Sequence, residues 1–148
     1  MDTTYLLPAI GVSIKELPND VPIRLKAKGH QIAISQITLF ELAAKGAKYV
    51  NNGTLLPETV TKGIRAIVYE EELETVPVYG SEILLASFKL NALADFIDCL
   101  IVASAINNCD ALITEDQEIH KLTKKNGINK LIDATNPNFK IKTLNEIL

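Results

Sequence analysis

Segments with the two-residue hydrophobic period of a strand alternate along the chain with segments that have the helical period of about 3.6 residues. This pattern predicts strands interleaved with helices. The segment HQIAISQ alternates weakly, as a strand does, and then yields to a helical period in ITLFELAAKGAKYVNNG that Gly53 closes. Ser35 and Thr38 stand at the junction, where hydroxyl groups commonly cap a helix start. A strand followed by a long helix is therefore predicted around residue 35.

The middle of the chain predicts three more helices and a short strand. PETVTKGIRAIVYEEELE begins with Pro57 at a first-turn position and has an apolar helical stripe. TVPVYG is β-branched, and Pro77 within it indicates a strand end or an edge strand. SEILLASFKLNA and DFIDCLIVASAINN then predict two helices with little more than three residues between them.

The last third predicts a strand, a helix and a final strand. DALITED is the first strand, QEIHKLTKKNG is a helix that Gly127 closes, and NFKIKTL alternates as a strand. Strands alternating with helices of about 10 to 15 residues are typical of a parallel sheet covered on both faces. The predicted fold is α/β, a three-layer α/β/α sandwich with a central parallel sheet.

Length and composition predict a single globular domain over residues 1–148. Apolar residues make up 47% of the chain and charged residues 22%, a balance that excludes a disordered protein. Neither a membrane-spanning apolar run nor a signal peptide is found, so we expect no membrane association. With Cys99 and Cys109 expected as reduced thiols, the predicted location is the cytoplasm.

Charge is unevenly distributed around a net value of −3. This value argues against non-specific coating of nucleic acid, which depends on neutralising many phosphates. Acids dominate from Glu70 to Asp98, whereas lysines dominate after His120. Solvated helix faces explain this pattern, and a basic surface beside an acidic cleft is the alternative.

Four carboxylates fall where the predicted sheet would gather functional groups. Asp116, with Glu115 before it, follows a strand, Asp98 opens a long apolar helix, Glu41 lies in the helix after Ser35, and Asp2 stands at the chain start. Because functional groups collect at the carboxyl ends of parallel strands, these acids are expected to converge on one edge. Taken singly, Asp98 and Asp116 also fit helix caps, and Glu41 fits a solvated helix residue.

Converging carboxylates raise one another's pKa unless a cation neutralises them. An all-oxygen set without a His or Cys cluster suits Mg²⁺ or Mn²⁺ rather than Zn²⁺. Such centres typically act on phosphate oxygens. The residues alone thus predict metal-dependent phosphoryl chemistry.

Four short motifs give the chain a resemblance to the PIN-domain ribonucleases over almost its whole length. They occur in the family's order as DTTYLL at Asp2, SQITLFEL with Ser35, Thr38 and Glu41, DCLIVASA from Asp98, and LITED with Thr114 and Asp116. No single motif is specific, but four in this order and spacing are. The chain thus resembles either the toxins of the VapBC type or stand-alone prokaryotic and archaeal PIN proteins.

The resemblance implies that Asp2, Glu41, Asp98 and Asp116 surround Mg²⁺ or Mn²⁺ and that metal-activated water cleaves RNA. It also implies a supporting hydroxyl at Thr114 and outer positions for Asp95 and Glu118. An antitoxin partner and a homodimer are expected from the small single-domain relatives.

The chain start departs from the family pattern, because only Met1 precedes Asp2 where an apolar strand normally stands. A first strand that is truncated or built differently is therefore expected, together with a weaker hold on Asp2. A catalytically weak PIN-fold scaffold or RNA-binding module remains the alternative. A receiver-like or phosphatase domain lacks its second Asp in DTTY, and a dinucleotide-binding domain lacks its glycine-rich turn.

Overall fold

The protein consists of helices and very short strands. A computed structural model describes residues 1–69, 73–90 and 95–148. The chain divides into two compact units. The N-terminal unit is Asp2–Thr75, and the C-terminal unit is Val76–Leu148 together with Met1. The α/β class expected from the sequence is confirmed, whereas the single-domain organisation stays a prediction.

The N-terminal unit begins with a 3₁₀ helix in place of the expected strand. Its elements are this 3₁₀ helix (Thr3–Ile10), α1 (Val21–Ala27), β1 (Ala33–Ser35), α2 (Gln36–Asn51), α3 (Pro57–Tyr69) and β2 (Glu74–Val76), which continues into the next unit. β1 pairs with β2, and the Glu74 N–H donates to the Ile32 carbonyl. The predicted ends of α2 and β2 are confirmed, because Gly53 follows α2 with φ of 75° and Pro77 follows β2.

Two glycines let α2, α3 and the 3₁₀ helix pack closely. A Cβ on Gly63 of α3 would lie 2.1 Å from the Ala9 carbonyl oxygen, and one on Gly46 of α2 would lie 2.5 Å from a Val60 methyl. The side chains of Ile10 and Leu42 are completely buried in this core. The 3₁₀ helix, which carries the first residues of the chain, is thus held at backbone-to-backbone distance from α3.

The C-terminal unit is arranged around a helix with no solvent-facing side along most of its length. Its elements are α4 (Ser81–Leu90), α5 (Phe96–Asn108), β3 (Ala111–Ile113), α6 (Gln117–Leu122), α7 (Asn126–Thr135), β4 (Lys140–Lys142) and a 3₁₀ turn (Leu144–Glu146). Every residue from Cys99 to Ile106 of α5 is buried, and α5 contacts α4, α7 and β3. A helix that is apolar all round is stable when it is enclosed in this way.

β3 and β4 are parallel, with Leu112 opposite Ile141. The ladder continues by one hydrogen bond beyond β3, where the Thr114 N–H donates to the Lys142 carbonyl at 3.0 Å. The capping box of Thr143 and Glu146 fixes the turn after β4. The backbone N–H of Thr143, and then its hydroxyl, hold the pKa of Glu146 below its ordinary value.

Two predicted helix boundaries are wrong, and four helical elements of the described residues were not predicted. Gly127 does not close the helix that begins at Gln117, because α6 ends at Leu122 and Gly127 lies in the first turn of α7. The helix predicted to run to Glu74 does not reach it, because Glu74 begins β2. The predicted helical residues 70–72 and 91–92 lie outside the described residues. The elements that were not predicted are α1, α7, the N-terminal 3₁₀ helix and the 3₁₀ turn (Leu144–Glu146).

The close approach at Gly63 gives the first testable prediction. Gly63→Ala should lower the free energy of unfolding by about 1–3 kcal/mol, because the new methyl group overlaps backbone that cannot move aside cheaply. Chemical denaturation followed by circular dichroism measures this loss.

Gly80→Ala is the matched control, since its nearest contact would be 3.8 Å from the new Cβ. A Gly63→Ala protein as stable as the Gly80→Ala protein would contradict the packing described here.

Candidate active site

Asp2 is a buried carboxylate at the start of the 3₁₀ helix, and only 7% of the residue is exposed. It is the N-cap of that helix, and its Oδ1 accepts the Thr3 N–H at 2.6 Å. An N-cap carboxylate satisfies a helix N–H that has no partner within the helix. The start of the 3₁₀ helix therefore holds Asp2 through this hydrogen bond.

Glu41 is joined to the same chain start through a hydroxyl group. Thr3 is completely buried, and its Oγ1 donates a short hydrogen bond to Glu41 Oε2. The other carboxylate oxygen of Glu41, Oε1, lies 2.9 Å from Lys45 Nζ. Asp2 and Glu41 are thus brought together, with Thr3 between them along the chain of hydrogen bonds.

Asp98 lies in the first turn of α5 and is partly buried. The cap of this helix is Asp95, whose carboxylate accepts the Ile97 N–H at 2.9 Å, so the interpretation of Asp98 as a cap is wrong. A carboxylate in the first turn is stabilised by the positive end of the helix dipole. This stabilisation favours an acidic residue at the head of a helix that is otherwise apolar.

Asp116 follows β3 and is the N-cap of α6, as one of the sequence interpretations held. Its Oδ1 accepts the Glu118 N–H at 2.7 Å and the Ile119 N–H at 3.4 Å. Thr114 is completely buried, and its Oγ1 accepts the Asp116 N–H at 3.0 Å. Thr114 thus contacts Asp116 through the backbone N–H of Asp116, and the supporting role expected for its hydroxyl at the site stays a prediction.

Glu118 is an exposed member of the predicted site residues. Its side chain is 73% exposed and pairs with Lys121 at 2.5 Å, one turn along α6. Nothing in this contact connects Glu118 to the other acids.

Residues 114–116, the connector between β3 and α6, carry Asp116. Two residues that were not assigned to the site hold this connector in place. The His120 ring lies with Nε2 2.9 Å from the Thr114 carbonyl oxygen. Glu115 Oε1 accepts the Leu144 N–H at 3.0 Å. Glu115 therefore links the connector to the C-terminal turn, a role that its place beside Asp116 in the sequence does not reveal.

The predicted acids are divided between the two units. Asp2 and Glu41 belong to the N-terminal unit, while Asp98, Thr114 and Asp116 belong to the C-terminal unit, where α5 contacts β3. Within the described ranges, no group of three or more His, Cys, Asp or Glu forms a ready metal site. The four-acid centre therefore stays a prediction.

The donor chemistry nevertheless fits a hard divalent cation. All four acids offer carboxylate oxygens, the ligands that Mg²⁺ and Mn²⁺ prefer. Buried in the α2 core, the Thr38 hydroxyl has no hydrogen-bond partner in the described part of the chain. Such an orphaned polar atom is typical of a site that is completed by a bound group.

The chain is thus an α/β protein with carboxylates at helix starts and after a parallel strand, where such folds place their ligand sites. The sequence profile of the PIN domain matches residues 1–125, and the chain belongs to that family. PIN domains are generally nucleases that act on nucleic acid and typically use divalent metal ions.

No curated protein and no solved structure matches the chain significantly. Across the described residues, the helices are too short or too polar to cross a membrane. Cys99 and Cys109 form no disulfide bond, and Cys99 is buried in α5.

Glu115 gives a prediction about the rigidity of the connector. Glu115→Ala removes the acceptor of the Leu144 N–H, which should speed hydrogen exchange at residues 114–116 and 144 by about 5–10-fold. Exchange followed by NMR or mass spectrometry measures the effect.

Glu115→Gln keeps an oxygen acceptor and removes the charge, so it should exchange like the wild type. If Glu115→Ala is as well protected as Glu115→Gln, the hydrogen bond does not stabilise the connector.

Proposed function

We propose that this protein is a metal-dependent endoribonuclease that hydrolyses RNA phosphodiester bonds. The observation that carries the proposal is the PIN-domain match over residues 1–125, which includes Asp2, Glu41, Asp98 and Asp116. The hydrogen bonds around these acids support the proposal, because they hold carboxylates in fixed positions. Mg²⁺ or Mn²⁺ is the proposed cofactor, with these four residues as its ligands.

When bound, such a cation lowers the pKa of a water molecule and stabilises the negative charge that develops on the phosphate. The protein's own contribution is the orientation of its ligands. Asp2 receives the Thr3 N–H, and Glu41 receives the Thr3 hydroxyl, so a single residue orients both carboxylates. Lys45 offsets part of the charge on Glu41.

The remaining proposed ligands are ordered by helix starts. Asp98 is proposed as a ligand in the first turn of α5, and Asp95 as an outer residue that fixes the helix start through the Ile97 N–H. Thr114 supports Asp116 by accepting its N–H. Glu118 is proposed only as a peripheral acid that keeps Lys121 near α6.

RNA is the proposed substrate, and exposed lysines support contact with its phosphates. Lys121, Lys124, Lys125 and Lys130 are all exposed on α6, the following turn and α7. Such cations bind phosphates electrostatically and without sequence preference. They belong to the same unit as Asp98 and Asp116.

The decisive experiment compares cleavage of a labelled single-stranded RNA by the wild type and by Asp98→Asn. We expect cleavage with Mn²⁺ or Mg²⁺, none with EDTA, and a loss of at least about 100-fold in the variant, because a ligand charge is removed. Gel analysis of end-labelled RNA measures the rates.

Asp133→Asn is the matched control, since Asp133 is an exposed acid on α7, and it should cleave like the wild type. If the wild type cuts several RNAs no faster than Asp98→Asn, the scaffold or RNA-binding alternative replaces the nuclease. Retained RNA binding in that case would identify the binding module.

We also propose a cytoplasmic protein with a toxin-like role, silenced by an antitoxin. Two cysteines that form no disulfide bond support the location. The PIN-domain match supports this role, because PIN domains are generally nucleases and the proposed toxin would act as a nuclease.

A homodimer is proposed on the strength of an exposed apolar cluster on α4 and α5, made of Leu85, Phe88 and Phe96. The Phe88 and Phe96 rings stack with centroids 5.7 Å apart, although Phe88 is 63% exposed. Paired exposed aromatic side chains commonly mark interfaces.

Phe88→Asp should therefore shift the protein from dimer to monomer while the monomer stays folded, because the charge would be buried unpaired in the interface. Sedimentation equilibrium measures the mass. Phe40→Asp, at an exposed position on α2, is the control and should remain dimeric. A wild type that is monomeric at every concentration would rule out the proposed dimer.

A further inference from the structure

Thr38 is a completely buried threonine whose hydroxyl oxygen has no hydrogen-bond partner in the described part of the chain. It lies in the first turn of α2, whose N-cap is Ser35. A buried hydroxyl without a partner costs about 1–3 kcal/mol relative to one that is paired. Valine has nearly the same shape without this cost, so the hydroxyl needs an explanation.

Other buried helical hydroxyls of this protein satisfy themselves within their own helix. Ser87 donates to the Ile83 carbonyl and Ser104 to the Leu100 carbonyl, each at 2.7 Å and four residues earlier. Thr38 has no equivalent acceptor, because the residue four positions before it is Ile34 in β1 and Ser35 is extended, with ψ of 144°. Its hydroxyl therefore requires an acceptor from outside the helix.

The position of Thr38 on α2 relates it to the candidate active site. Thr38 precedes Glu41 by three residues, a spacing that places two side chains on the same side of a helix. Glu41 in turn accepts the hydrogen bond from Thr3, which also binds Asp2 through its N–H. The unpaired hydroxyl thus lies one helical turn from the carboxylate that joins α2 to the chain start.

We propose that Thr38 is a positioning residue whose hydroxyl hydrogen-bonds the hydration shell of the divalent cation held by Asp2 and Glu41. Mg²⁺ and Mn²⁺ centres keep several water molecules, and these need acceptors and donors around them. This inference rests on the proposed function, since it requires a cation at these acids. It assigns to Thr38 a task different from the helix capping that its sequence position suggests.

The test uses Thr38→Val and Thr38→Ser in the full chain, with thermal unfolding in EDTA and Mn²⁺ binding by calorimetry. Thr38→Val should raise the melting temperature of the metal-free protein by about 2–4 °C, because the unpaired hydroxyl is removed. The same variant should bind Mn²⁺ about 10-fold more weakly, the usual effect of losing an outer partner of a metal site.

Thr38→Ser should bind Mn²⁺ within about twofold of the wild type, because serine keeps the hydroxyl that contacts the metal-bound water. Opposite signs for stability and metal affinity in Thr38→Val support the proposal, because a residue that only packs would not improve one and weaken the other. A Thr38→Val protein that binds Mn²⁺ as tightly as the wild type overturns this inference and leaves the proposed function standing. A wild type that binds no Mn²⁺ overturns both.

Discussion

The structure around the proposed site depends on one constraint. The protein's own hydrogen-bond donors must stabilise and orient the negatively charged carboxylates. Asp2 and Asp116 cap helices, and Asp98 lies in a first helical turn. Each therefore stands at the positive end of a helix dipole, where exposed N–H groups favour a carboxylate. Glu41 lies beyond the first turn of its helix and depends on Thr3 and Lys45 instead.

Strong periodicity allowed much of the fold to be predicted from the sequence. α2 to α5 each have a long apolar pattern, β3 is a short apolar run, and β4 lies in a segment that alternates polar and apolar residues. The errors occur where a local signal is ambiguous. Gly127 resembles a helix stop because glycine commonly follows a helix, yet here it stands in the first turn of α7. The N-terminal 3₁₀ helix contains Pro8 and an apolar run, a combination that does not predict a helix.

The acids of the candidate site could be predicted because their positions follow from strand ends and helix starts. Their partners could not, since these come from distant parts of the chain or depend on side-chain rotation. Lys45 is four residues from Glu41 and is a readable helical pair, whereas the link from Thr3 to Glu41 spans 38 residues. The bond from Glu115 to the Leu144 N–H spans 29 residues, and the sequence contains no signal for it.

Polar groups that have hydrogen-bond partners within the protein stabilise the fold, whereas a buried polar group without a partner points to a binding site. Asp116, Thr114 and Glu115 all have hydrogen-bond partners within the protein, so their connector needs no ligand to be ordered. Thr38 differs, because its hydroxyl is buried and lacks a partner in the described residues. A fold selected for stability alone would favour valine there, and proteins often tolerate such a cost where function requires it. The unsatisfied hydroxyl beside well-satisfied acids is therefore consistent with a preformed site that is completed only when a cation binds.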